Sequence, residues 1–478
     1  MSGYVSSSKG VTRRGFLTVA VSAIVAGVVA GVGAYYAGTL AAPVKEVVKE
    51  VTKTVTSTIT LAPGAPVTAT VTLTAPPTTV TKTVTTTVTA TTPPKPAPKE
   101  IKIGALPPLT GAMSSDGLDS LWAYQYAIEE VNKKGGVYVA EYGTRIPVKL
   151  IYYDCKSDPT TAVSIVDRLY SVDGVDYIWG PCGSYVHEAA IPAAMKYGII
   201  YFAIGLSATE PHKKGYRYLF SPFSKYYQWS IVSYSCFNDL LPKEERPRRV
   251  GIWQENTILG RELADSYVTN APKYGYEVVL NEVYTMGAKD FSDLILKSKA
   301  KDVEFVAAVP TLADAVTMVR QCKELGFSPK AMMLARGGAW YPFVEALGKD
   351  ADYILHTPAG WCPDFPTPGN KELVDAFIKA NNRNPGMPIV GAAYSLAQIF
   401  FQAVEKAGSL DKEKIRQVLV TEEFDTVSGK VKFNEEGIWE TIPPTWSQWQ
   451  NGEPRTIYPK EFATSRLWYP MPPWEKRK

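Results

Sequence analysis

Histidine and cysteine are scarce in this chain of 478 residues, which contains three histidines and five cysteines. The histidines (His187, His212 and His356) lie far apart in the sequence, and no metal-ligand spacing links them to the cysteines. We therefore expect no metal site, and no motif predicts another cofactor. No cysteine precedes Cys155, which argues against a lipid anchor on an N-terminal cysteine.

A strong excess of charge is also missing. The chain has 51 Lys and Arg residues against 47 Asp and Glu residues, a formal net charge of +4. No basic stripe with interleaved aromatic residues is present, so nucleic acid is not an expected partner. The hydrophobic fraction of 45% and the charged fraction of 21% are typical of a globular protein. The length is sufficient for two or three domains.

Residues 1–40 contain the clearest sequence motif of the chain. The stretch "TRRGFLT" (12–18) places Arg13 and Arg14 before a Phe-Leu pair, and an Ala/Gly/Val-rich run follows over 19–38. This resembles a twin-arginine export signal, and the run has about the ~20 residues that cross a bilayer. Because a small-x-small cleavage site is hard to place, we favour an uncleaved membrane anchor, and a cleaved, secreted form is the alternative. The rest of the chain then lies on the extracellular side.

The composition changes abruptly over residues 41–99, which are built mainly from Thr, Val, Pro and Ala and contain no aromatic residue. Such a segment cannot bury enough apolar surface to offset its ordering entropy. Proline and β-branched residues favour extended backbone, which would reach on the order of 150 Å at ~3 Å per residue. We expect an extracellular stalk, either O-glycosylated or a plain spacer.

From Glu100 onward the pattern alternates between strand and helix. Short apolar runs rich in β-branched residues alternate with amphipathic segments such as 119–136 and 159–174. This alternation predicts parallel sheets with helices on both faces. About 380 such residues exceed one core, so we expect two α/β lobes. The predicted strands are 100–106, 148–154, 175–180, 198–205, 249–255 and 303–310.

Three unusual loops follow predicted strands, where ligands bind in open parallel sheets. They are "LPPLTGAMSSDG" (106–117), "GPCGSY" (180–185) and "AIGLSATEP" (203–211). Hydroxyl groups and glycine-exposed amides at a helix start bind small anions, typically carboxylates. The loops lack the Gly-Lys-Ser/Thr ending of a phosphate loop and the G-x-G-x-x-G pattern, which disfavours nucleotide binding.

Motifs spread over roughly residues 100–452 carry a family resemblance. They are "IKIGALPPLTG", "AYQYAIEEVNKKGGV", "YYDCKSDPTTAVSIVDRL", "GPCGSYV", "GLSATEP", "KDFSDLILKSKAKDVEFV", "VRQCKELGF" and "FDTVSGKVKFNEEG". In this order the chain resembles the solute-binding proteins of ABC importers for branched-chain amino acids and amides. The resemblance implies a bilobed periplasmic-binding-protein type I fold, with two doubly wound parallel-sheet lobes that close on a ligand by hinge bending.

The resemblance also implies where the lobes divide. We expect three hinge crossovers, near Pro222, Pro358 and Gly437. The first lobe would then comprise 100–222 and 358–437, and the second lobe 223–357 and 438–478, the latter with closing strands and a tail. The implied partners are a small amino acid, amide or carboxylate ligand and the permease and ATPase subunits of the importer.

The resemblance implies a ligand site on the first lobe at four positions. The Ser184 hydroxyl is expected to hold a ligand carboxylate, with its neighbour Tyr185 in the same loop. Gly205 and Ser207 complete the contacts to the head of the ligand. An alternative interpretation of Ser184 is a helix N-cap, because it directly precedes a helical pattern.

Departures from the family pattern concern the second lobe. Arg336 stands where an acidic residue usually pairs with the ligand's ammonium, and a guanidinium repels that group. Leu259 and Thr311 replace aromatic residues that often cover the ligand side chain, and Asp116 falls where some members carry a tyrosine. Our hypothesis is that Arg336 selects a second carboxylate or an amide, with a surface arginine as the alternative. Asp116 could supply the missing negative charge.

The resemblance further implies a disulfide between Cys155 and Cys182, which an extracellular location permits.

Two other functions are weighed against ligand delivery. An enzyme would use Cys182 as nucleophile with His187 and Glu188, but no oxyanion hole is marked, so we expect no enzyme. A surface sensory receptor would need a cytoplasmic output segment, and only 18 residues precede the apolar run over 19–38.

Overall fold

A computed structural model describes residues 96–357, 359–440 and 445–477 of the chain. The predictions for the membrane anchor, including Arg13 and Arg14, and for almost all of the stalk lie outside the described residues, and so does Pro358. Within the described ranges, no helix combines the length and the apolar character needed to cross a membrane.

Sixteen strands and eleven α-helices occur in the described part of the chain. The strands are β1 Ile101–Ala105, β2 Val137–Val139, β3 Thr144–Ile146, β4 Val148–Tyr152, β5 Tyr177–Trp179, β6 Ile200–Phe202, β7 Leu219–Phe220, β8 Arg249–Glu255, β9 Glu277–Tyr284, β10 Phe305–Ala308, β11 Ala331–Leu334, β12 Leu355–His356, β13 Phe424–Thr426, β14 Gly429–Val431, β15 Trp446–Gln450 and β16 Glu453–Tyr458. The helices are α1 Ser114–Lys133, α2 Pro159–Ser171, α3 Ser184–Lys196, α4 Tyr226–Leu240, α5 Ile258–Tyr274, α6 Ser292–Ala300, α7 Leu312–Glu324, α8 Tyr341–Leu347, α9 Asn370–Asn381, α10 Ile389–Ala407 and α11 Lys412–Thr421.

The strands form two main sheets with matching strand orders. The first sheet has the order β4-β1-β5-β6-β7, and all its strands are parallel. In the second sheet the parallel strands follow the order β9-β8-β10-β11-β12, and antiparallel β15 and β16 complete its edge. Counted along the chain, both parallel sets have the doubly wound order 2-1-3-4-5. Each sheet therefore has a switch point, between β1 and β5 in the first and between β8 and β10 in the second.

Local sequence explains why these elements form where they do. The residues of β5, β6, β10 and β11 are all buried, as their continuous apolar runs predict for central parallel strands. Helix α2 begins with Asp158, whose side chain accepts the Thr161 N–H at 2.7 Å, and with a proline in its first turn. Helix α5 ends at Gly275 in the left-handed conformation.

The first sheet is covered by helices from two distant parts of the chain. Helices α1–α3 follow its strands directly, whereas α10 packs against α1 from more than 250 residues further along. The interface includes Tyr126 of α1, whose ring centroid lies 5.8 Å from that of Tyr394 in α10. Phe400 of α10 packs on Tyr177 and Trp179 of β5, so α10 completes this core.

The C-terminal residues pack against the second sheet at the amino-terminal end of β11. The Met471 N–H donates to the Lys330 carbonyl at 2.8 Å, and the Trp474 indole donates to the Phe327 carbonyl at 2.7 Å. Arg477 lies 3.4 Å from the ring centroid of Trp474. This tail is thus at the opposite end of the sheet from the carboxyl ends of the strands, where ligands bind in such folds.

Candidate functional site

The predicted first-lobe loops meet at the carboxyl edge of the first sheet. Gly205, after β6, has φ +68°, and a Cβ atom there would lie 3.2 Å from the Gly183 nitrogen of the loop after β5. Only a residue without a side chain allows this approach without strain. Asp154, after β4, accepts hydrogen bonds from the Leu109 and Thr110 N–H groups and so fixes the loop that leads into α1.

Ser184 is the first residue of α3, and Gly183 occupies the N-cap position. The Ser184 hydroxyl is therefore not the helix N-cap, and that alternative interpretation is wrong. The first N–H groups of a helix have no partner within it. The half-buried Ser184 hydroxyl and the N–H groups at the start of α3 are hydrogen-bond donors that would suit an anion at the edge of the first sheet.

A tyrosine on α4 reaches the same place. The Tyr226 hydroxyl lies near the Ser184 and Ser207 side chains, which partly offset the rise that burial causes in its pKa. Its backbone N–H also donates to the Ser207 carbonyl at 3.2 Å. Ser207 and Tyr226 are both buried. Three hydroxyl groups from three separate segments thus converge on one point.

A buried lysine holds this convergence in place. The Lys225 ammonium donates to the Leu206 carbonyl at 2.5 Å and to the Ser221 hydroxyl at 2.8 Å, and no part of the residue is exposed. Burial lowers the pKa of Lys225 well below its usual value. The lysine links the segment between β7 and α4 to the residue that precedes Ser207.

Tyr185 lies further out than the sequence suggested. Its side chain is 44% exposed, and its hydroxyl donates to the Ser157 carbonyl at 3.1 Å. The ring therefore spans the outer edge between the loops after β4 and β5. A ligand contact by Tyr185 stays a prediction.

Arg336, after β11, forms an ion pair within the second lobe. Its Nη2 lies 2.6 Å from Glu255 Oε2, and its Nε donates to the Pro310 carbonyl at 3.2 Å. The Arg336 side chain is 28% exposed and the Glu255 side chain 1% exposed. The alternative of a freely solvated surface arginine is therefore wrong. The backbone at Arg336 adopts φ +54°, in the left-handed region.

Asp116 lies in the first turn of α1 and is influenced by the Arg336 charge. Burial and the nearby Asp119 carboxylate raise the pKa of Asp116 to about 7, which Arg336 only partly offsets. The residue is half-buried. In the described part of the chain, the Asp116 carboxylate has no hydrogen bond or ion pair. It is thus a carboxylate that titrates near neutral pH at the junction of the lobes.

Thr311 and Leu259 occupy the starts of two second-lobe helices. The Thr311 hydroxyl caps α7 by accepting the Asp314 N–H at 3.2 Å. Leu259 is half-buried and packs against the hydrophobic core from the first turn of α5. Both lie near the carboxyl edge of the second sheet. Whether they cover a ligand side chain stays a prediction.

A family model described as periplasmic binding protein matches residues 100–438. The chain belongs to the periplasmic binding proteins. The family resemblance and the bilobed α/β fold that we expected from the sequence are therefore confirmed. Membership also means that the protein is a solute-binding protein that acts outside the cytoplasm and not an enzyme, as expected.

Individual relatives agree with this assignment. The chain is 28% identical over 395 residues to Leu/Ile/Val-binding protein homolog 7 of Brucella suis, which covers 79% of this chain and 96% of that protein. Its fold is similar to that of the branched-chain amino acid transporter substrate binding protein LivJ of Streptococcus pneumoniae in complex with isoleucine. That match has a TM-score of 0.62 and 21% identity, over 76% of this chain and 100% of the other. The solute binding protein of R. palustris in complex with benzoate matches with a TM-score of 0.60 and 15% identity, over 75% and 95% of the two chains.

The structure contradicts the predicted disulfide between Cys155 and Cys182. Cys155 and Cys182 are free thiols in the structure, and both are buried. The Ser120 side chain of α1 lies near the Cys182 thiol and slightly offsets the effect of burial on its pKa. Burial raises the pKa of both thiols, so neither is primed to react as a thiolate.

His187, the proposed base of the enzyme alternative, has both ring nitrogens occupied. Nδ1 lies 3.0 Å from the Tyr201 hydroxyl and Nε2 lies 2.7 Å from the Ile204 carbonyl. Burial lowers the pKa of His187 to about 4. Neither nitrogen is directed to Cys182, so this histidine supports the loop after β6 and activates no nucleophile.

Two residues of the site were not identified from the sequence. Glu255 gave a usable signal, because it is a lone acid that ends the apolar strand "RVGIWQE" (249–255) at the edge where ligands bind. Tyr226 gave none, since "KYYQW" (225–229) reads as an ordinary helix start. Its contribution depends on α4 lying against loops of the other lobe.

Proposed function

We propose that the protein captures a small amino acid-like solute between its lobes and delivers it to the permease of an ABC importer. The observation that carries this proposal is the convergence of the Ser184, Ser207 and Tyr226 hydroxyls at the start of α3. This arrangement suits a carboxylate, which accepts hydrogen bonds from hydroxyl groups and from helix N-terminal amides. The branched-chain ligands named for relatives carry such a group.

The rest of the ligand would face the second lobe. Arg336, whose charge Glu255 largely neutralises, presents guanidinium N–H donors suited to an amide or to a second polar group. Leu259 and Thr311 offer one apolar and one short polar side chain. This surface fits a branched-chain amino acid, an amide or a related carboxylate, in that order of agreement with the names of the relatives.

We also propose that the chain crosses between the lobes near 222, 358 and 437 and that the cleft closes about these segments. Two of the segments run side by side, since the Ser221 N–H donates to the Gly437 carbonyl at 2.8 Å and Ser221 bridges Ile438. Paired crossovers support hinge bending about a common axis. The domain boundaries given from the sequence follow from this proposal.

The N-terminal segment would tether the binding domain to the membrane. The paired Arg13 and Arg14, the apolar run over 19–38 and the Thr/Pro/Val-rich residues 41–99 support a twin-arginine-type anchor followed by a stalk. A tether of this kind keeps the domain near the permease and ATPase complex, which raises its effective concentration there.

A ligand panel tests the proposal. The full-length protein is melted alone and with leucine, isoleucine, valine, glutamate, asparagine, acetamide, 4-methylpentanoate, glutarate and benzoate. A ligand at 100 times its Kd stabilises the folded state by about 2.7 kcal/mol, which a melting curve detects. We expect at least one carboxylate-bearing compound to raise the melting temperature, and we expect Ser184→Ala to reduce that rise. If no compound raises it, the proposed ligand class is wrong.

A further inference from the structure

We propose that Asp116 of the first lobe takes the ammonium group of the ligand. This inference rests on the proposed function, because it names the second anchor of the same ligand. A residue of α1 would then discriminate amino acids from carboxylates that lack an ammonium group. The second lobe then contacts mainly the side chain of the ligand.

Glu255, the acid of the second lobe nearest to Arg336, is already satisfied. Its Oε2 accepts from Arg336 at 2.6 Å, and its Oε1 accepts from the Thr257 hydroxyl at 2.9 Å. Its side chain is only 1% exposed. An ammonium could reach Glu255 only by displacing Arg336, which would leave a partly buried guanidinium without its partner.

The neighbouring acids are occupied as well. Asp314 accepts the Gly287 N–H through both carboxylate oxygens at 3.1 Å, and its side chain is buried. Asp119 pairs with Arg383 and accepts the Gly386 N–H at 3.0 Å. Asp116, by contrast, has neither a hydrogen bond nor an ion pair among the described residues.

The position of Asp116 suits the task. Met113, the N-cap of the same helix, places its Cε 3.7 Å from the position that a Cβ atom at Gly183 would occupy, so the first turn of α1 lies beside the loop that carries Ser184. The Asp116 charge also interacts with Cys182 and with Arg336. An α-amino acid carries its ammonium on the carbon next to its carboxylate, so the two subsites must be close neighbours. A carboxylate held at Ser184 would therefore bring the ammonium to the side of the site where Asp116 lies.

The charged and titratable groups around Asp116 decide how the binding of a ligand ammonium to this residue depends on pH. They are Asp119, which is neutralised by Arg383; Cys182, which burial keeps protonated; and Arg336, which Glu255 largely neutralises. Asp116 itself has a pKa of about 7. Binding an ammonium favours the ionised carboxylate, so a zwitterionic ligand should release protons when it binds near pH 7 and bind less well as the pH falls below that value.

Calorimetry on the full-length protein with leucine and 4-methylpentanoate tests the inference, because these probes differ only in the ammonium group. Wild-type protein at pH 8 should bind leucine more tightly than 4-methylpentanoate. Asp116→Asn should reduce this preference about 10- to 100-fold, the effect of losing one charge-assisted hydrogen bond. Asp375→Asn, the same change at an exposed residue of α9 paired with Lys371, should leave the preference unchanged.

A second readout separates a binding role from a structural one. In buffers of different ionisation enthalpy, wild-type protein should release protons on binding leucine at pH 7, and Asp116→Asn should not. An unchanged leucine preference in Asp116→Asn would overturn the inference and leave the proposed function intact. Binding of 4-methylpentanoate with no binding of leucine by the wild type would do the same. Failure of every compound of the ligand panel would overturn both.

Discussion

The Arg336 guanidinium lies 2.6 Å from the Glu255 carboxylate, and this pair changes what the second lobe can offer a ligand. From the sequence alone, Arg336 is an unpaired cation that should attract a second carboxylate. In the structure its charge is largely neutralised within the protein before any ligand arrives. The second lobe therefore presents polar groups with little net charge, and we expect the first lobe to select for the charge of the ligand.

Breaking this pair should affect both stability and selectivity. We expect Glu255→Gln to lower the free energy of unfolding by about 2–3 kcal/mol, because it leaves a partly buried guanidinium with a weaker partner. The freed charge should raise the affinity for glutarate relative to 4-methylpentanoate. Chemical denaturation and calorimetry measure the two effects.

A double mutant provides the control for that experiment. If the pair is responsible, Glu255→Gln combined with Arg336→Met should cost less stability than the sum of the single changes. Purely additive costs would contradict the coupling. An unchanged affinity of Arg336→Ala for every bound compound would show that Arg336 does not contribute to the site.

The three hydroxyl groups at the start of α3 should contribute to binding more than to folding. Ser184→Ala and Tyr226→Phe should each weaken binding of a carboxylate ligand about 5- to 10-fold, the value of roughly 1 kcal/mol per lost hydrogen bond. Because Ser184 is not an N-cap, its removal should barely change stability. Asp411→Ala, which removes the side chain that caps α11 through the Lys414 N–H, should instead cost about 1 kcal/mol of stability and leave binding unchanged. Loss of stability in Ser184→Ala without loss of affinity would contradict this assignment.

The raised pKa of Asp116 makes a prediction for the unliganded protein. Since the carboxyl holds its proton up to about pH 7 when folded, and only to about pH 4 when unfolded, its contribution to stability is present at low pH. That contribution is lost as the pH rises through 7. Asp116→Asn should therefore raise the melting temperature at pH 8 by about 2 °C or more, and much less at pH 5. An equal change at both pH values would indicate that the carboxylate is not held in this environment.

The cysteines should behave as free thiols. Full-length protein unfolded without a reductant and treated with iodoacetamide should be alkylated at all five cysteines. Melting curves with and without a reductant should coincide. Mass spectra that leave Cys155 and Cys182 unlabelled until a reductant is added would restore the disulfide interpretation.

The tail offers a change that should affect stability alone. Trp474 is buried, and its indole donates to the Phe327 carbonyl at the end of the second sheet remote from the strand termini that form the site. Trp474→Ala should cost about 3 kcal/mol of stability, in line with other buried aromatic truncations. Ligand affinity, measured well below the melting temperature, should stay unchanged. A large loss of affinity would mean that the tail reaches the site.

The fold was predictable because its signals are local. Apolar runs, N-caps such as Asp158 and helix-ending glycines such as Gly275 specify their elements within a few residues. The start of α1 was missed: the pattern predicted it near 119, whereas the helix begins at Ser114. The predicted loop 106–117 ended at Gly117, but in the structure Gly117 lies inside the helix. Glycine is needed there because a Cβ atom would lie 2.0 Å from the Pro108 carbonyl oxygen.

Site residues were predictable from the sequence only where a single loop contains the polar side chains. Ser184 and Ser207 belong to loops that their own sequence marks as polar strand ends. The pairing of Arg336 with Glu255 joins residues 81 positions apart, and the approach of Tyr226 to Ser184 depends on how α4 lies against the first lobe. A single sequence contains no local signal for such contacts, so their consequences for charge could not be anticipated.

The packing of α10 against α1 sets an order for biosynthesis. The strands of the first sheet are complete at Phe220, but Phe400 of α10 must be made before the face formed by Tyr177 and Trp179 is covered. While residues 221–388 are synthesised, that apolar face remains open to chaperones and to other nascent chains. The first lobe therefore cannot mature before α10 is made, and a chain that stops before α10 would leave this core uncovered.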